Sequence, residues 1–178
     1  MSLSNLISFA PRDHAPHLVD GDVTLRPHVL GDFDAFWDFA RSARAADLDT
    51  PQSPTLLWFG MSSQIASWQL TGTGAWAIEL NGTLAGQVAL CQPPHFTDVE
   101  LGWTLLDGFE GRSIAYRATV LARNWFWAET AHPSLVSYVD SHNKRSIALA
   151  LRLGAHQDAD APVYKDNQLV FRHTRPAA

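Results

Sequence analysis

Between residues 75 and 129 the hydrophobic period of the chain changes from two to nearly four, and this change limits the fold more than any other feature. Ala75-Trp76-Ala77-Ile78-Glu79-Leu80, then Asn81-Gly82, then Thr83 to Leu90 read as strand, tight turn, strand. Asn-Gly is a strong hairpin signal because both central residues of such a turn need positive φ. Asp98 to Leu106 alternates Val99, Leu101, Trp103 and Leu105 with Asp98, Glu100, Gly102 and Thr104, which predicts a third antiparallel strand. After Asp107-Gly108-Phe109-Glu110-Gly111-Arg112-Ser113, the residues Ile114, Ala115, Ala118, Leu121, Ala122 and Trp125 recur at helical spacing until His132-Pro133 breaks the run.

The flanks complete the order. Residues 1–20 read as an N-terminal arm, and Met1 to Pro11 lacks a charged leader followed by an apolar run, so no secretion signal is expected. Val23-Thr24-Leu25-Arg26, stopped by Pro27, suits a short strand. Phe33, Phe36, Trp37, Phe39 and Ala40 fall at helical spacing, with Asp32 placed to cap. Ser53-Pro54 opens a second helix through Leu57, Met61, Ile65 and Trp68, which Gly72 and Gly74 end. Leu135 to Val139 reads as a buried strand and Asp140 to Asn143 as capping residues. Ile147, Ala150 and Leu151 form the stripe of a short helix stopped by Gly154. Val163-Tyr164 and Leu169-Val170-Phe171-Arg172 offer one or two closing strands. The whole is an α+β, or mixed α/β, domain over residues 21–175.

Composition narrows the partners. The 178 residues fit one domain, and 46% hydrophobic with 17% charged residues is an ordinary globular content. A net charge of -5 argues against nucleic acid as the main partner. Cys91 is the single cysteine, so no intrachain disulfide forms. No stretch approaches the roughly 20 apolar residues that span a bilayer. These features lead us to expect a soluble cytoplasmic protein without a membrane partner.

The junction from strand 98–106 into helix 114–129 carries the chemistry. A helix start presents unpaired N–H groups and the positive end of its dipole, which together hold phosphate. Gly108 and Gly111 let the chain turn and Arg112 adds charge, although many such junctions contain glycine merely to turn.

Three segments then support a resemblance. Glu100-Leu101-Gly102-Trp103-Thr104-Leu105-Leu106 leading into Gly111-Arg112-Ser113-Ile114-Ala115 resembles the fourth strand and pyrophosphate loop of the GNAT superfamily of N-acetyltransferases. Ser141-His142-Asn143-Lys144-Arg145-Ser146-Ile147, ending in Leu153-Gly154-Ala155, is similar to a segment of its RimJ/RimL-like branch, as is Leu169-Val170-Phe171-Arg172-His173. With Leu25-Arg26-Pro27, the likeness spans roughly residues 20–173. Glu110 stands where Gln or Arg is usual, Ser113 replaces a glycine, and Ala150 stands where many members carry tyrosine.

The resemblance implies a central, mostly antiparallel twisted sheet with about four helices. It implies transfer of an acetyl group from acetyl-CoA to a primary amine, either a small molecule or a protein N-terminus, with no metal and with a homodimer as an option. Backbone near Leu105 and Leu106 would pair with the pantetheine arm. Amides near Gly111, Arg112, Ser113 and Ala115 would hold the diphosphate, and Asn143 would sit near the thioester. Glu100 is the candidate acceptor of the amine proton, with a solvated strand residue as the plain alternative. Ser146 is the candidate proton donor, against a helix serine bonded locally; Tyr116 and Tyr138 are weaker substitutes. The departures at Glu110, Ser113 and Ala150 keep open a non-catalytic or regulatory acyl-CoA-binding domain.

Other residues have plainer readings. His14 and His17 have metal-like spacing but lack companion ligands, and His142 and His95 read first as solvated loop residues, with the thioester region and the acceptor entrance as their respective alternatives. Cys91 ends an apolar strand and reads as an inert thiol. Trp37, Trp103 and Trp125 sit at core positions. Trp58, Trp68 and Trp76 draw more interest, because the resemblance puts the helix after residue 53 at the border of the acceptor pocket, although packing is the expected role for most of them.

Overall fold

The computed structural model describes residues 12–45 and 50–177; the segment read for a leader, residues 1–11, lies outside them. In chain order the elements are β1 (Leu18–Asp20), β2 (Val23–Arg26), α1 (Phe33–Ala40), α2 (Pro54–Thr71), β3 (Ala75–Leu80), β4 (Thr83–Cys91) and β5 (Glu100–Leu105). There follow α3 (Ile114–Glu129), β6 (Ser134–Asp140), α4 (Lys144–Arg152), β7 (His156–Gln157) and β8 (Gln168–Thr174). The strands form one sheet in the order β1-β2-β3-β4-β5-β6-β8-β7. Every pairing is antiparallel except β5 with β6, so the mixed, mostly antiparallel sheet expected from the sequence is present.

Local chemistry accounts for most boundaries. Asn81 and Gly82 turn the β3–β4 hairpin at φ 50° and 76°, the backbone sign that an Asn-Gly turn needs. Ser53 caps α2 by accepting from the Leu56 N–H at 3.2 Å, and Gly72 ends the helix at φ 72°. Asn143 caps α4 by accepting from the Ser146 N–H at 3.0 Å.

Four expectations are corrected. The arm is anchored over its last residues: the Arg12 N–H bonds the Trp68 carbonyl, Ala15 is buried, and Leu18–Asp20 pairs with β2. Asp32 does not cap α1; its carboxylate takes two 2.8 Å bonds from the Arg26 guanidinium and one from the Val29 N–H, because Arg26 approaches from β2 and pairs with this carboxylate and Glu79. Val163-Tyr164 forms no strand, and the edge is taken by His156–Gln157. Ile65 and Leu151 are exposed rather than buried on their helices.

The main core lies between α3 and strands β2 to β6, where Trp68, Trp76 and Trp125 meet edge to face at 4.5 to 5.6 Å. Trp68 and Trp76 therefore belong to packing, while Trp58 stays exposed against the edge of Phe33. A second cluster joins α1 and α2 to Leu84 and Leu106, and a third packs α4 on β6 and β8. No helix among the described residues is long and apolar enough to cross a membrane.

Candidate active site

β5 and β6 share one register pair, Glu100 with Val136, with the Val136 N–H on the Val99 carbonyl at 3.0 Å. Beyond it they part. The Ser137 hydroxyl, donating to the Leu101 carbonyl at 2.7 Å, fills the first ladder position that the gap leaves open. Its oxygen then accepts from His173 Nε2 at 2.9 Å, and His173 is itself buried. Past this point the β5 backbone faces a gap in the sheet.

The gap leads to the turn before α3. Leu105, Gly111, Ser113, Ile114, Ala115 and Tyr116, with Leu149 and Arg152 of α4, line a cleft of about 190 Å³. The first N–H to close a bond into α3 is that of Arg117, onto Ser113 O, so the amides of 114–116 have no partner within the helix. An anion there would meet several N–H groups, the helix dipole and the Arg152 guanidinium. This set fits a diphosphate.

The structure brings Leu105, Gly111, Ser113 and Ala115 together at this cleft and treats the other candidates differently. Leu106 turns into the α1–α2 core and its N–H is taken by the Ala85 carbonyl, so that N–H is not free to pair with a ligand. The Leu105 carbonyl accepts from Arg44. Arg112 is exposed and acts electrostatically on Asp22, outside the cleft lining. Asn143 and Ser146 form the α4 cap, also outside that lining. Ser113 adopts φ 57° but its side chain caps nothing; the hydroxyl takes a 3.2 Å bond from Arg152. Glu110 is drawn back from the cleft by the Gly108 N–H at 2.9 Å and by Arg44. Its own amide, Arg44 and Arg145 hold its carboxyl below the usual range.

Two residues were missed. Arg44, between α1 and α2, ties Leu105, Asp107 and Glu110 together. Arg152 stacks over Tyr116 at 4.3 Å at the cleft mouth. Arg152 had a local signal, lying one turn from Leu149 on the face of α4 that meets α3; Arg44 had none.

At the other end of β5, Glu100 lies half-buried opposite Cys91, whose thiol is 3.6 Å from Oε2. Burial pushes the Glu100 carboxyl up to about 7. Burial, and then Glu100, hold the Cys91 thiol well above its ordinary value, so it carries no thiolate at neutral pH. Glu100 and Leu105 are five residues apart on a strand, roughly 16 Å, which suits an extended arm with its diphosphate at the turn and its reactive end near Glu100. Ala150 is fully buried in the α4 cluster and offers no hydroxyl. His142 bonds Asp140 at the surface, and His95 is exposed against the Phe96 and Tyr164 rings. Among the described residues no cluster of three metal-ligating side chains occurs.

Comparison with known proteins agrees with this architecture. Residues 22–156 match the family model described as an acetyltransferase (GNAT) domain. A solved acetyltransferase from Agrobacterium tumefaciens is 36% identical over 90% of this chain and 95% of its own, with a TM-score of 0.86. An acetyltransferase from Salmonella typhimurium that modifies the N-terminal serine of a 50S ribosomal protein is 16% identical over 89% of this chain and 98% of its own, with a TM-score of 0.72. A ribosomal α-N-protein acetyltransferase in complex with coenzyme A is also 16% identical, over 88% and 96%, with a TM-score of 0.72. At that identity the last two show the fold alone.

Proposed function

Because this chain belongs to the GNAT acetyltransferase family, a family of acyl-CoA-dependent transferases, we propose that it acetylates a primary amine with Glu100 as the proton acceptor. The amine is a small molecule or a protein N-terminal α-amine, and the setting is the cytoplasm. The domain extends over residues 21–175. The turn amides of 111–115 and Arg152 hold the diphosphate of acetyl-CoA, which supplies the activated acetyl group. Glu100 takes a proton from the incoming ammonium. The neutral nitrogen then attacks the acetyl carbon as the carbon–sulfur bond breaks; Ser146, near Asn143, gives its hydroxyl proton to the leaving sulfur and regains one from the nitrogen, which sheds its second proton as the amide forms.

One observation carries this reading. Glu100 is a half-buried carboxyl that desolvation lifts to about 7, where an exposed glutamate titrates near 4.5 and accepts protons poorly at neutral pH. The retraction of Glu110 onto Arg44 supports it too, since that removes the anion expected to repel the diphosphate. Replacing Glu100 by Gln is expected to lower kcat by about 10²- to 10⁴-fold while acetyl-CoA still raises Tm. In the wild type kcat/KM should climb with pH through about 7 and then level, and the variant should lose that limb. A variant with unchanged kcat would overturn the assignment. A wild type that acetyl-CoA does not stabilise would overturn the placement of the diphosphate.

A further inference from the structure

We propose that Arg44 is a positioning residue for the cofactor: by holding the Glu110 carboxylate it lets a turn that bears two acids accept the diphosphate of acetyl-CoA. The inference rests on the reading that puts this diphosphate at the amides of 111–115. Between β5 and α3 the chain carries Asp107 and Glu110 against Arg112, a net negative charge where an anion has to bind. Arg112 acts on Asp22 and lies outside the cleft lining, so it does not offset the two acids at the cleft itself. Glu110 directly precedes Gly111, which lines the cleft. A free carboxylate there would stand within about two Cα steps, roughly 7–8 Å, of a bound phosphate.

The compensating charge comes from outside the turn. Arg44 lies over the Phe39 ring at 4.8 Å and spreads its guanidinium across three acceptors: the Leu105 carbonyl, Asp107 at 2.9 Å and Glu110. A single nitrogen, Nη1, serves both carboxylates. The second oxygen of Glu110 accepts from the Gly108 N–H at 2.9 Å, so both of its oxygens are directed back into the turn. Arg145 approaches Glu110 at 3.8 Å, but its side chain is 78% exposed and water screens it. Arg44 is the better-placed cation, with a side chain only a quarter exposed and a direct bond. Its loss would leave Glu110 as a charge facing the phosphates across a partly solvated gap. At an effective dielectric between those of protein and water, such a charge weakens binding of a diphosphate by about fivefold.

The test is calorimetric titration of the full chain with acetyl-CoA. Arg44→Met keeps the stem over Phe39 and removes the charge. Its Kd should exceed that of the wild type by about fivefold at about 50 mM salt and by less than about twofold at about 500 mM. Glu110→Gln alone should bind within about twofold of the wild type, because its charge is already paired. Adding Glu110→Gln to Arg44→Met should restore affinity to within about twofold, and Arg44→Lys should retain most of it. An arginine that merely braced the turn, or that touched the phosphates itself, would not be rescued by neutralising Glu110. An Arg44→Met variant with wild-type affinity, or a double variant as weak as the single one, overturns the proposal. If Arg44→Met does not fold, Arg44→Gln is read against the same two outcomes. A wild type that shows no binding at all would instead remove the diphosphate placement on which the proposal rests.

Discussion

Ser113 sits where the turn into α3 needs a left-handed residue, at φ 57° and ψ 15°. For an L-residue that conformation costs about 1–2 kcal/mol, whereas glycine adopts it freely. Against this, glycine adds about 0.4–1 kcal/mol of unfolded-state entropy, and the exposed bond from Arg152 contributes little. The strain outweighs both. Ser113→Gly should therefore raise stability by about 0.5–1 kcal/mol, seen as a higher denaturant midpoint, and should keep acetyl-CoA affinity because the phosphate donors are backbone amides. A lower midpoint would show that the Arg152 contact matters more than the φ strain. The sequence exposed this residue as a departure and its backbone consequence, but not the fate of Glu110. Whether that carboxylate faces the cleft depends on Arg44, which lies 66 positions away and whose guanidinium has no periodic signal.

At the scale of elements, β4 and β5 approach so closely at Gly86 that side-chain size decides where β5 ends. A Cβ built on Gly86 would lie 2.1 Å from the Thr104 carbonyl oxygen and 2.9 Å from Leu105 Cα, and both are backbone atoms that can yield only by moving the strand. Gly86→Ala should destabilise by about 3 kcal/mol and weaken acetyl-CoA binding as well, because Leu105 lines the cleft. Equilibrium unfolding and ligand titration of this one variant check both parts; intact affinity would mean that the end of β5 does not set the cleft. The elements that were legible had a local cause: the Asn81-Gly82 turn, the Ser53-Pro54 start, and the spacing of α3. Those that were not lacked one. β7 is a two-residue exposed edge held only by β8. Tyr164 follows an apolar neighbour as a strand residue would, yet it is drawn into the aromatic cluster with Phe96 and Tyr138. The parting of β5 from β6 depends on Ser137 and His173, which alternation alone cannot distinguish from ordinary ladder residues.

For the whole molecule, two desolvated groups near that parting pull the pH dependence of stability in opposite directions. The Glu100 carboxyl is raised by burial from 4.5 to about 7, so the folded state holds a proton that the unfolded chain releases. Its stabilisation is complete below 4.5 and is lost as pH rises through 7. His173 is lowered by burial, and further by Arg123 and His156, from 6.5 to about 4. Here the unfolded chain takes the proton first, so the stabilisation is complete above 6.5 and is lost as pH falls through 4. Each shift corresponds to about 3 kcal/mol, and the two windows overlap across nearly their whole width. The wild type should therefore change little in stability between pH 7 and pH 4.5, and then weaken below about 4 as carboxylates held low by arginines, Asp32 and Asp98, take up protons. Substitution removes one side of the balance. Glu100→Gln leaves His173 unopposed and should make stability fall steadily from pH 6.5 to 4.5. His173→Gln leaves Glu100 unopposed and should make it rise over the same span. Urea unfolding of the three proteins at half-unit pH steps reads these slopes directly. Parallel curves for wild type and both variants would mean that neither side chain loses its water on folding. That would remove the physical basis for Glu100 as a base at neutral pH, since the desolvation that sets its pKa is the same desolvation that bends the stability curve.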